Sequence, residues 1–192
     1  MKLNLPNRLT IIRIIMVPAV MVFIALDFGL GALWSRVIAA LLFIIASATD
    51  ALDGRIARKY NLITNFGKLM DPLADKMLVI GSLVALCTVE GNTVYGRFLL
   101  LGTAIVIFRE LAVTSMRLVV AASPDKIVIA ANKLGKIKTC TQVLFILAAI
   151  LERALWDGYA VSYITMTLMA IMTLWSGFEY FKSYWKYINP SN

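Results

Sequence analysis

The chain reads as six long apolar stretches separated by short polar ones. The first runs from Ile11 to Leu26, with Arg13 near its beginning and Pro18 inside it, where a kink is expected. The second, Val37 to Thr49, falls short of the ~20 residues a span requires, so its helix is expected to continue through the polar residues that follow to about Arg58. The third begins near Gly67 and runs to Val89, with Pro72 in its early turns, where a missing amide donor matters least. The fourth covers Phe98 to about Val120, the fifth follows Lys133 and ends near Leu155, and the sixth runs from about Tyr159 to Phe181. Residues 1–10 are charged and turn-rich and are expected to lie at the interface ahead of the first span. The pattern predicts an all-α polytopic membrane protein, a single membrane domain over residues 1–192 with six transmembrane helices. A secretory signal also pairs a basic start with an apolar run, but no small-x-small cleavage site follows and five more spans do.

Composition sharpens this. Of 192 residues, 60% are hydrophobic and 16% charged, and the mean hydropathy of +0.82 lies outside the range of soluble globular domains. A net charge of +8 in so apolar a chain points to lipid headgroups or an anionic substrate rather than nucleic acid. Six spans bring both termini to one side, and 16 of the 19 lysines and arginines fall on that side, which makes it the cytoplasmic one. There is no histidine, so a metal would have to be held by oxygen, which favours Mg²⁺ or Mn²⁺ over Zn²⁺. Cys87 and Cys140 show no pairing pattern and read as packing residues. Gly102-Thr103 and Ser176-Gly177 read as small-residue sites for close helix approach.

The chemistry concentrates in residues 50–75, at the junction of the second and third helices. Asp50 and Asp53 are spaced i,i+3 and Asp71 and Asp75 i,i+4, so each pair shares one helix face. Four carboxylates beside a bilayer need a cation among them, and a divalent metal is the simplest one. Magnesium binds through a few carboxylates plus substrate phosphate oxygens, and a carboxylate left free can take a proton from an attacking hydroxyl. Gly54 and Gly67 leave room where the helices admit a ligand or each other. The fourth span carries Arg109, Glu110 and Arg117, an expensive set of charges for a span, and the basic cluster Lys133, Lys136, Lys138 opens the fifth. From the residues alone, the reading is metal-dependent phosphoryl transfer at a cytoplasmic membrane face.

The stretch matches D-x2-D-G-x2-A-R-x8-G-x3-D-x3-D at all eight fixed positions, Asp50, Asp53, Gly54, Ala57, Arg58, Gly67, Asp71 and Asp75, and so resembles the signature of the CDP-alcohol phosphotransferases. The resemblance covers nearly the whole chain. It implies a homodimer, two divalent ions (Mg²⁺ or Mn²⁺) held by Asp50, Asp53, Asp71 and Asp75, and Asp75 as the general base. It places the cytidine diphosphate near Asp53, Gly54, Ala57 and Arg58, with Thr64 and Gly67 assisting. The implied reaction is attack by an alcohol hydroxyl on the lipid-bearing phosphorus of a CDP-activated lipid, releasing CMP.

The opening Leu5-Pro6-Asn7-Arg8-Leu9-Thr10-Ile11-Ile12-Arg13, the Phe66-to-Lys76 form of the signature, Arg109-Glu110 and Gly135-Lys-Ile-Lys-Thr139 are similar to bacterial members that use glycerol 3-phosphate. This resemblance implies CDP-diacylglycerol and glycerol 3-phosphate as substrates, at the bacterial cytoplasmic membrane. An acceptor bearing a phosphate needs fixed cations, and Arg109, Arg117 and Lys136 are the leading residues for them, ahead of Lys133 and Lys138. Inositol phosphate, serine or a second lipid as acceptor remain open alternatives. A divalent-cation transporter would instead carry its acids near the midplane and at broken helices.

Overall fold

The computed structural model describes residues 4–26, 28–60, 64–122, 133–155 and 158–188, with the side chains of residues 51, 55, 68, 121, 122 and 186–188 and of Ala57, Arg58 and Lys133 outside the described residues. Six helices follow one another: α1 (Leu5–Ala25), α2 (Ala32–Lys59), α3 (Asn65–Glu90), α4 (Val94–Ala122), α5 (Lys133–Leu155) and α6 (Ala160–Ile188). Each is long and apolar enough to cross a membrane. At 1.5 Å per residue, the 28 residues of α2 extend about 42 Å, more than a hydrocarbon core of about 30 Å. Its carboxylate-bearing end can therefore reach headgroup depth.

Helix ends are where the structure departs from the expected spans. α1 begins at Leu5, six residues before the apolar run, because Pro6 occupies its first turn, where no amide donor is lost. Residues 5–10 are thus helical and continuous with the first span. Pro18 lies within α1, which continues to Ala25. α3 begins at Asn65, with Thr64 as its N-cap accepting from the Gly67 amide at 3.0 Å. Pro72 consequently sits in the helix interior. Asp71 and Asp75 are the seventh and eleventh residues of α3, roughly two and three turns inside it. Glu90 ends α3, and Arg97, expected in the loop after it, belongs to α4.

α1 packs against both α2 and α3, α6 against α4 and α5, and contacts of α2 with α5 and of α3 with α4 join the two halves. One apolar core runs through all six helices, with Val17 and Val20 from α1, Phe43 from α2, Leu83 from α3, Leu99 from α4, Phe145 from α5 and Met169 from α6. Large apolar side chains such as Ile15, Trp34, Phe108, Ile164 and Trp175 point outward, as lipid-facing surface requires. Helices surrounded by lipid gain little from apolar contact with each other, so small residues set how closely they approach. Gly81 lets α3 approach α1; a Cβ there would meet Met21 Sδ at 2.9 Å and Val17 Cγ1 at 3.2 Å. The expected small-residue sites behave likewise, with Gly102 facing Met166 and Gly177 leaving space for the Arg109 side chain. Cys87 and Cys140 are free thiols; Cys87 contacts Thr103, while Cys140 is exposed and so contributes little to packing.

Candidate active site

The site is assembled by three helices. The buried face of α1 is a stripe of Pro6, Asn7, Thr10, Arg13, Val17, Val20 and Ile24, spaced three and four residues apart. Its apolar half feeds the core, and its polar half lies against the carboxylates of α2 and α3. Arg13 is fully buried and forks between two aspartates of α2, with Nη1 donating to Asp50 Oδ1 at 2.7 Å and Nη2 to Asp53 Oδ2. One turn earlier, Thr10 Oγ1 donates to Asp71 Oδ1 at 2.6 Å. At the edge, Thr64 Oγ1 donates to Asn7 Oδ1 at 2.9 Å while accepting from the Gly67 amide.

Gly67 is buried in this cradle. A Cβ there would lie 3.3 Å from Asn7 Oδ1, 3.3 Å from Thr64 Oγ1 and 3.5 Å from Asp71 Oδ2. The glycine therefore clears space beside a carboxylate as well as easing helix approach. The aspartates differ in access: the Asp50 side chain is 41% exposed and that of Asp53 only 3%. Asp71 and Asp75 are half-buried, and Asp75 is within electrostatic reach of Asp50, Arg13, Lys138 and Glu110.

Behind Asp75 lies a second polar network. Lys138 of α5 donates to Glu110 Oε1 of α4, which also pairs with Arg109 Nη1 at 3.0 Å. Lys76, next to Asp75 on α3, donates to Thr114 Oγ1, and Thr114 in turn donates to the Glu110 carbonyl at 2.7 Å. Three helices are thus tied together directly behind the carboxylates.

The basic residues singled out from the sequence for the acceptor phosphate lie on α4 and α5. Arg109 reaches α6, where Nη2 donates to Ser176 Oγ at 3.0 Å and the guanidinium lies 5.3 Å from the Tyr180 ring centre. Arg117 donates to Tyr180 Oη at 2.8 Å. Both arginines thus spend hydrogen bonds on α6, and Lys136 is exposed. Lys138, ranked behind Lys136 from sequence, is the buried lysine of α5 that faces the network. Lys76 was missed altogether. Lys138 falls in register with the buried Gln142, Phe145 and Ala149, a periodicity that could have identified it.

A hard divalent cation suits this donor set. The charged donors are all carboxylate oxygens, with hydroxyl and amide oxygens of Thr10, Thr64 and Asn7 beside them, and a buried guanidinium between Asp50 and Asp53 marks a place that demands positive charge. As arranged here, no three acidic or other metal-binding side chains converge on one point among the described residues. Asp50 and Asp53 are instead committed to Arg13, and Asp71 to Thr10.

The structure is thus a bundle of six apolar helices whose α2 and α3 each carry a pair of aspartates. In the comparison with known families, the model for CDP-alcohol phosphatidyltransferase matches residues 3–175, and the chain belongs to that family. Among similar proteins is a CDP-diacylglycerol–glycerol-3-phosphate 3-phosphatidyltransferase of Bacillus subtilis (strain 168), 38% identical over 199 aligned positions covering 98% of this chain and 99% of the relative. Proteins of the same name from Rickettsia felis (37% identical; 96% and 97% covered) and Yersinia enterocolitica (33%; 97% and 97%) are also similar.

Proposed function

We propose that this enzyme transfers the phosphatidyl group of CDP-diacylglycerol to sn-glycerol 3-phosphate, forming phosphatidylglycerophosphate and CMP. The observation that carries the reading is the contact of Asp50, Asp53 and Asp71 with one face of α1, with Asp75 in electrostatic reach of Asp50, Arg13 and Lys138. The names of the similar proteins, together with their near full-length match, support the choice of substrates.

In the reaction, a hydroxyl oxygen of glycerol 3-phosphate bonds to the lipid-bearing phosphorus while the bond from that phosphorus to the CMP oxygen breaks. Asp75 accepts the hydroxyl proton, a role that its half-buried position beside the basic network suits. Asp50, Asp53, Asp71 and Asp75 would hold Mg²⁺ or Mn²⁺, two ions in all, supplying positive charge to the pyrophosphate and to the leaving CMP. Thr10 and Asn7 keep Asp71 and the Thr64–Gly67 turn in place. Asp53, Gly54, Ala57, Arg58, Thr64 and Gly67 would line the cytidine diphosphate side.

Lys138, Arg109 and Arg117 would bind the acceptor phosphate, with Lys136 at the exposed rim. Binding there requires part of the Glu110 and Tyr180 contacts to be exchanged for phosphate oxygens. The excess of basic residues on the side carrying both termini supports a site that faces the cytoplasm of a bacterial inner membrane. The family resemblance supports a homodimer. A transporter reading fits less well, because each of the six helices runs unbroken through the described residues instead of being interrupted at the acids.

The test is CMP release by purified protein in detergent with CDP-diacylglycerol, Mg²⁺ and each acceptor in turn. Glycerol 3-phosphate should give turnover well above that with inositol phosphate or serine. Background release with glycerol 3-phosphate alongside turnover with another acceptor would reassign the substrate.

A further inference from the structure

Arg13 is the most deeply buried charge of the site, with no exposed surface at all. It lies one turn beyond Thr10 on α1, outside the 50–75 signature, and its two terminal nitrogens each hold a different carboxylate. Its Nε has no hydrogen-bond partner, so this fork accounts for the side chain's ion pairing. An arginine presents its donors in a fixed plane, and a fork of this kind fixes the separation and orientation of what it grips. Gripped here are two of the four carboxylates assigned to the metal, and they sit three residues apart on α2, where two uncompensated negative charges would repel each other.

We propose that Arg13 is a positioning residue that serves as the built-in counter-ion of Asp50 and Asp53. It holds the pair in register while no divalent cation is bound, and the cation binds in competition with that ion pair. The inference rests on reading the aspartates as a metal site. Its consequence is a trade: Arg13 stabilises the metal-free protein and lowers its affinity for the ion. An enzyme in which an internal cation already offsets part of the charge of two of its acids need not bind metal tightly in order to stay folded in the membrane, and can take the ion up together with substrate phosphates.

The test is Mn²⁺ binding to purified protein in detergent, followed by electron paramagnetic resonance, with thermal unfolding in EDTA and in Mg²⁺ as the second readout. Arg13→Gln removes the charge and keeps hydrogen-bonding capacity. It should bind Mn²⁺ about tenfold or more tightly than the unsubstituted protein, as expected for deleting a buried positive charge that contacts two of the carboxylates assigned to the ion. It should also unfold at lower temperature in EDTA, with the deficit narrowing as Mg²⁺ is added. Arg13→Lys keeps the charge but loses the fork, so its Mn²⁺ affinity should fall between the two; it carries the same comparison if Arg13→Gln does not fold. Mn²⁺ affinity that is unchanged or weakened in the variants, or a stability deficit equal in EDTA and Mg²⁺, would overturn the proposal and leave Arg13 a structural residue. Absence of any Mn²⁺ binding by the unsubstituted protein would instead overturn the metal site, and the competition with it.

Discussion

Thr10 on α1 donates its hydroxyl to the Asp71 carboxylate on α3 at 2.6 Å, joining residues 61 positions apart. A hydrogen bond to a charged group contributes about 1.5–3 kcal/mol, and here it orients a carboxylate assigned to the metal. Thr10→Val keeps the shape and removes the donor. It should lower the rate of CMP release by about tenfold or more, with a smaller change in unfolding temperature, and Thr10→Ser should restore most of the rate. A Thr10→Val enzyme with full activity would show that Asp71 does not depend on α1.

The pair Lys138–Glu110 gives a prediction about stability. Both side chains are 9% exposed, and breaking such a pair from one side leaves an uncompensated buried charge, at a cost of about 3–5 kcal/mol. Glu110→Gln should therefore lower the unfolding temperature in detergent markedly. Because Glu110 also pairs with Arg109, the double variant Glu110→Gln, Lys138→Met should recover only part of the loss of stability, and the proposed role of Lys138 in acceptor binding predicts a raised KM for glycerol 3-phosphate. If the double variant is less stable than Glu110→Gln alone, charge is not the cause.

Two glycines separate function from folding. Gly67→Ala would put a methyl group within 3.5 Å of Asn7, Thr64 and Asp71, all polar side-chain atoms of the cradle. Its expected signature is reduced turnover at nearly normal unfolding temperature. A Cβ at Gly96, by contrast, would lie 1.8 Å from the Glu90 carbonyl oxygen, a backbone atom that cannot turn aside. Gly96→Ala should destabilise the α3–α4 turn, by about 1–3 kcal/mol or more, and leave the rate per folded molecule unchanged. Measuring rate and unfolding temperature on both variants checks the pair.

How much of this was legible beforehand differs from element to element. Apolar runs of nearly span length made the six helices readable, because hydrocarbon thickness sets a length that a sequence either meets or misses. The ends were harder. Asn7 and Thr10 look like loop residues, yet they are buried on a helix because their hydrogen bonds are met by α3 and its N-terminal turn rather than by water. The four aspartates could be found from spacing alone. Their counter-ion could not, since Arg13 lies 37 residues from Asp50 and only the packing of α1 against α2 brings them together.

The lysines of α5 show a different limit. Lys136 and Lys138 lie two residues apart, about 200° around a helix, so one must face inward and the other away. Both have the same chemistry, and composition does not choose between them. The buried stripe does, and it continues through Lys138. Arg109 and Arg117 share a face, as their eight-residue spacing requires, but that face meets Tyr180 and Ser176 of α6.

In the proposed reaction the aspartates of residues 50–75 carry phosphatidyl transfer, with Asp75 taking the proton. The most direct measurement is the initial rate of CMP release from CDP-diacylglycerol and glycerol 3-phosphate by Asp75→Asn, which keeps the side chain's size and removes the base. Asp75→Asn should fold and show a rate lower by about 10²–10⁴. An Asp75→Asn enzyme that releases CMP at the unsubstituted rate would contradict that role.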